Sequence, residues 1–204
     1  AANLAAIRRV LPPGVRQMAM VKASGYGAGA WQVAQELERA GADYLGVAQA
    51  VEGLELRQRG IGLPILVLSP EPATLPLLAA QRLEPAVGTF ALLRAWAGIA
   101  ARQGGAALPP LHIEIDTGMA RLGFEPADLA EALALIAQAG LRVGGVFTHL
   151  AASEDPGHDA FTAQQLDEFE AAVRAVRAAH PAALAHALNT GGILRFPHRA
   201  GDMV

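Results

Sequence analysis

The chain alternates between two textures. Short runs of Val, Ile, Leu and small residues lie at 17–23, 43–48, 64–69, 84–88, 111–116, 143–149 and 185–189, and most end in small or polar residues. Between them lie stretches rich in Ala, Leu, Glu and Arg at 30–40, 50–60, 73–81, 91–103, 125–139 and 160–179. The short runs predict buried strands, and the longer stretches, with apolar residues every third or fourth position, predict helices. The opening AANLAAIRRVLPPG reads as one more helix, stopped by a Pro-Pro-Gly turn. An eighth strand is expected to begin at 201–204. Repeated strand–helix alternation predicts a parallel α/β fold. No break in composition divides it, so residues 1–204 are expected to form one domain. Eight strands suit a (β/α)8 TIM barrel, truncated at the start of the eighth strand, better than an open sheet. No G-x-G-x-x-G follows the first strand, which argues against a dinucleotide site.

Composition narrows the classes. With 52% apolar and 17% charged residues, the chain is built to fold. A net charge of -3 and the lack of a basic stripe argue against a nucleic-acid partner. No apolar run reaches the roughly 18–20 residues that span a bilayer, and the start lacks the layout of a signal peptide. Zero cysteine excludes disulfides and thiolate metal sites. It fits a reducing compartment such as the cytoplasm.

Lys22 is the only lysine; every other basic residue apart from histidine is arginine. It ends an apolar run and opens the Gly-rich stretch AMVKASGYGAGA. In a barrel the strand C-termini carry the chemistry. Lys22, Asp116 with Arg121, His149, and Asn189 with Thr190 all fall at or just past such ends. Each has an ordinary alternative. Lys22 could be a snorkelling or ion-paired lysine, and GYGAG a flexible turn. Glu114, Asp116 and Arg121 could be a polar turn, His149 a core histidine, and Asn189 or Thr190 a helix N-cap. Together they form a constellation. A lysine set among Met20, Val21 and Ala23 at a barrel mouth is partly desolvated, which favours its nucleophilic form. Backbone N–H groups after the seventh strand commonly hold phosphate. A lysine able to condense with an aldehyde beside a phosphate cradle implies pyridoxal 5'-phosphate.

Four stretches resemble, in order, the motifs of the alanine racemase family, the barrel-type pyridoxal-phosphate enzymes. VKASGYGAG resembles that family's VKANAYGHG, and IDTGMARLGF its IDTGM-x-R-x-GF. VFTHLAASEDP resembles THF-x-x-AD, and NTGGILRFPHRAGDMV resembles NSA-x-x-x-x-P…DMVR-x-G. The resemblance implies a cytoplasmic isomerase that interconverts L- and D-alanine by a two-base mechanism, supplying D-alanine for peptidoglycan. It implies that Lys22 carries the cofactor and acts as one base, and that Tyr26 and Thr190 contact the phosphate. Arg121 would bond the cofactor's phenolic oxygen and help position the substrate carboxylate. His149 would lie against the pyridine ring, and Asn189 near ring and phosphate. His186 would hold an arginine that bonds the pyridine nitrogen.

Three departures from the family pattern matter. Ser24 and Ala28 replace the usual Asn and His. Glu114 stands where the family often has a carbamylated lysine; strand alternation puts it on one face with Asp116, and it is expected to bond Arg121 directly. The family's arginine after DMV and its C-terminal β domain, which supplies the second base from a partner subunit, would lie beyond residue 204. The resemblance therefore implies a homodimer with shared sites, of which residues 1–204 are the barrel domain and are expected not to racemise alone. A serine or broad-specificity racemase is the alternative enzyme, and a non-catalytic pyridoxal-phosphate-binding protein the alternative class.

Overall fold

The computed structural model describes residues 2–204; Ala1, with which the first predicted helix begins, lies outside the described residues. Seven strands form one sheet in sequential order, and every neighbouring pair is parallel. They are β1 (Met18–Met20), β2 (Tyr44–Val47), β3 (Ile65–Val67), β4 (Glu84–Val87), β5 (Leu111–Glu114), β6 (Val143–Phe147) and β7 (Leu184–His186). The main helices are α1 (Ala2–Val10), α3 (Ala30–Arg39), α4 (Ala50–Gln58), α5 (Leu75–Gln81), α6 (Phe90–Gln103), α7 (Leu129–Gln138), α8 (Asp159–Ala179) and α9 (Thr190–Arg195), with a short turn α2 (Lys22–Tyr26) after β1.

Residues 202–204 occupy the eighth position of the ring. Asp202 and Met203 N–H donate to the Ala185 carbonyl, Arg16 N–H to Asp202 and Met18 N–H to Val204. Both sheet edges are thus joined, as the barrel prediction required. The Arg177–Asp202 ion pair and a bond from Ala185 N–H to the same carboxylate hold this closure.

β2 to β5 are buried along their whole length; β2 and β3 read as continuous apolar runs, whereas β4 and β5 carry the buried polar residues Glu84, His112 and Glu114. Alternation appears in what each side meets. Ile65, Val67, Leu111 and Ile113 pack in the large core between sheet and helices. Leu66, Ala86 and Phe147 cluster separately, with Met18 and Leu68 against them. At the strand N-terminal end, Arg57 of α4 donates to the carbonyls of Ile61, Leu63, Gln81 and Arg82, pinning the approaches to β3 and β4.

The seven predicted strands and the predicted helices form, with trimmed ends, while at the expected eighth strand Met203 makes isolated bridges to Arg16 and His186. The first strand stops at Met20 because the backbone turns left-handed at Ala23. The helices predicted from 73 and 125 begin two and four residues later, at Leu75 and Leu129, each preceded by a proline-led 3-10 turn at Pro72–Thr74 or Pro126–Asp128. The last strand ends at His186, and Asn189 caps α9.

Candidate active site

The C-terminal ends of β1, β6 and β7 surround a cleft of about 520 Å³, within the range of small-molecule sites. Lys22, Tyr26, His149, His186, Asn189 and Thr190 all line it.

Lys22 opens α2, which is a left-handed turn. Ala23, Ser24 and Tyr26 have φ of 52°, 54° and 55°, and Gly25 and Gly27 share the positive sign. A non-glycine residue in this region costs on the order of 1 kcal/mol or more. Hydrogen bonds offset the cost. Gly25 N–H donates to Val21 O at 2.9 Å, Gly29 N–H to Ser24 O at 2.8 Å, and Ala23 N–H to the Glu52 carboxylate at 2.7 Å. The turn leaves Lys22 half-buried and Tyr26 67% exposed at the mouth.

His149 follows β6 and is half-buried. Desolvation first, then the charges of Arg121 and Lys22, hold its imidazole below the usual histidine range, so it is neutral near pH 7. Its carbonyl accepts from Gln165 of α8, whose amide also reaches Thr117; Thr117 and Thr148 share a 2.8 Å hydroxyl bond. One buried glutamine thereby ties the ends of β5 and β6 together.

Asn189 caps α9. Its Oδ1 accepts from Gly192 N–H at 2.9 Å and from the Ser153 hydroxyl at 2.6 Å. The N–H groups of Thr190 and Gly191, in the first turn, have no partner inside the helix, and Thr190 lines the cleft.

Arg121, Glu114 and Asp116 lie in a smaller hollow beside the cleft, and Thr148 and His149 line both. Asp116 is spent on its own loop: its Oδ1 accepts from Gly118 and Ala120 N–H. Gly123, at φ 119°, lets the loop return against the Ile115–Asp116 backbone, where a side chain would clash. The bond expected between Glu114 and Arg121 is not formed among the described residues; Arg121 stays exposed, and its charge acts on Glu114 only across the hollow. Burial outweighs that charge and pushes the Glu114 carboxyl up to about 7, at 7% exposure.

A buried polar chain lies beneath the cleft. Glu84 Oε2 meets His112 Nε2 at 2.9 Å, and His112 Nδ1 meets His186 Nε2 at 2.9 Å. His186 stacks on Phe147 with ring centroids 4.9 Å apart. Burial and the neighbouring His112 hold His186 well below the ordinary histidine range. Sequence reasoning missed His112, although it shares the alternating face that singled out Glu114 and Asp116. Glu52, Glu84 and Gln165 were missed as well. Glu52, three residues after Gln49, carries a capping-box signal, whereas nothing in the sequence separates Gln165 from its helix.

Comparison with known proteins agrees with this architecture. A curated alanine racemase of Symbiobacterium thermophilum is 40% identical over 212 residues, covering 100% of this chain and 54% of the relative. One from Cutibacterium acnes is 40% identical over 199 residues, covering 95% of this chain and 52% of its own. Among solved structures, the alanine racemase of Clostridium difficile 630 superposes with a TM-score of 0.91 at 30% identity, covering 99% of this chain and 53% of that one. That of Streptomyces coelicolor A3(2) gives 0.91 at 30% identity, covering 100% and 55%. The chain spans about half the length of the curated relatives it matches. The family model described as alanine racemase, N-terminal domain, matches residues 1–204. By fold, order of motifs and sequence, this chain belongs to the alanine racemase N-terminal domain family.

Proposed function

We propose that the protein is a pyridoxal-phosphate-dependent racemase interconverting L- and D-alanine, with residues 1–204 forming its cofactor-binding barrel. One observation carries the reading: the only lysine of the chain opens into the same cleft as Tyr26 and the N-terminal turn of α9. The residues fit the cofactor. An amine able to condense with an aldehyde stands in a cleft of suitable volume, and hydroxyl and N–H donors suited to a phosphate line it.

When bound, pyridoxal phosphate supplies an electron sink for the α-carbon once its proton has left. Lys22 Nζ, opening into the cleft, would hold the cofactor's aldehyde carbon and, once released by a substrate amine, would serve as the base that takes or returns the proton on one face of the α-carbon. Tyr26 Oη and the N–H groups of the first turn of α9, at Thr190 and Gly191, would hold the phosphate. Asn189 keeps those N–H groups aimed by capping α9. Neutral His149, on the cleft wall, would lie against the pyridine ring. Arg121, exposed on a loop held by Asp116, is free to swing to the phenolic oxygen and the substrate carboxylate. His186 would receive the arginine that bonds the pyridine nitrogen, and the second base would come from outside residues 1–204. A second subunit would seat on the rim of the barrel, where Tyr26, Leu122 and Leu194 are exposed. The relatives' shared name supports alanine as substrate, and D-alanine for cell-wall synthesis is the use that follows.

Full-length protein tests the reading. Borohydride should fix pyridoxal phosphate at Lys22, and Lys22→Ala should abolish both attachment and racemisation. Full racemase activity in Lys22→Ala refutes the assignment.

A further inference from the structure

We infer that Glu52 is a positioning residue for Lys22, its carboxylate clamping the peptide that follows the lysine; the inference rests on Lys22 being the attachment residue proposed above. Glu52 lies in the first turn of α4, and the two oxygens of its carboxylate serve different segments. Oε2 accepts from Ala48 N–H at 2.7 Å and Gln49 N–H at 3.0 Å, which is the work of a helix cap. Oε1 accepts from Ala23 N–H at 2.7 Å, on another strand–helix unit.

The Ala23 N–H belongs to the same rigid peptide plane as the Lys22 carbonyl. Fixing it fixes the direction in which the Lys22 Cα carries its side chain. On the other side of the lysine, Val21 N–H donates to Gly46 O at 2.9 Å, in β2. Lys22 therefore sits between two anchors, both supplied by β2 and the start of α4. The clamp bears on the place where the backbone leaves its ordinary range. Ala23 and Ser24, the next two residues, are non-glycine residues in the left-handed region, a conformation that persists only where surroundings impose it. Glu52 supplies that constraint to the first of them.

The test compares full-length protein with Glu52→Gln, Glu52→Asp and Gln49→Ala. Glutamine keeps one oxygen for the α4 cap and turns an amide NH2 towards Ala23 N–H. Aspartate keeps the charge but loses the reach across both segments. Gln49→Ala weakens the reciprocal α4 cap without touching Ala23. The readouts are the rate at which pyridoxal phosphate attaches to Lys22, trapped by borohydride and located by mass spectrometry, and the melting temperature of the cofactor-free protein. Both Glu52 variants should attach about tenfold more slowly, the scale of an ångström-sized misplacement or less. Gln49→Ala should attach at the wild-type rate despite a comparable drop in melting temperature. A wild-type rate in either folded Glu52 variant, or equal slowing in Gln49→Ala, overturns the inference. Wild-type protein that attaches no cofactor at Lys22 overturns instead the functional reading beneath it.

Discussion

The bond between Glu84 Oε2 and His112 Nε2 sets the tautomer of each ring beyond it. A carboxylate only accepts, so His112 carries its proton on Nε2 and presents Nδ1 as acceptor. His186 must then donate through Nε2, which leaves its Nδ1 as a lone pair for a donor. Tyr44 lies against the same carboxylate, and burial together with that charge pushes its phenol up to about 12. Glu84→Gln should break this directionality. We expect a loss of about 1–3 kcal/mol of stability, the cost of a buried polar group left without its partner. Nitrogen NMR of labelled histidines should show a mixture of tautomers at His186. Unchanged histidine shifts in the variant would refute the chain.

Acid should weaken the fold through His186. Its folded-state basicity lies well below that of an exposed histidine, so below about pH 6.5 the unfolded chain takes up protons that the folded one excludes. Stability should therefore fall as pH drops from about 6.5. His186→Gln should flatten this slope, which denaturant titrations at several pH values can measure.

Glu114 acts in the opposite sense. Its carboxyl rises from 4.5 to about 7 on folding, so between those values the folded state holds the extra proton and stability declines as pH rises. Glu114→Gln should remove that decline and stabilise the cofactor-free protein above pH 7 by on the order of 3 kcal/mol. The same change should lower turnover about tenfold by removing the carboxylate that faces Arg121 across the hollow. Paired melting and rate measurements check both halves.

Gln165→Leu should strip partners from Ala151 N–H, Thr117 and the His149 carbonyl at once. We expect a loss of roughly 2–4 kcal/mol and a faster-exchanging Ala151 amide. Arg57→Met, at the opposite end of the barrel, should cost about 2–3 kcal/mol through its lost carbonyl bonds while leaving the turnover number unchanged.

The barrel was legible because strand and helix periodicities alternate cleanly from residue 17 to 189. The site was legible where a residue type was out of place: one lysine among arginines, or a charged loop after an apolar strand. Element ends were less so. Lys22 reads as the end of a strand until the glycines after it are seen to sit in a run of left-handed residues, and that run includes alanine, serine and tyrosine, which do not announce it. The expected Glu114–Arg121 bond failed because spacing along a loop does not say which way an exposed arginine points. Gln165 and Glu84 were invisible because their partners lie far along the chain, and of Glu52 only the local capping of α4 was legible, not its bond to Ala23.

The way the ring closes also governs how it can be made. Its last seam joins residues 16–18 to 202–204, contacts separated by almost the whole described chain. Until residues 202–204 are in place, β1 keeps an open edge, and exposed strand edges recruit other chains. Closure of such a distant pairing comes late and slowly. Association through the open β1 edge therefore competes with folding until Asp202 docks.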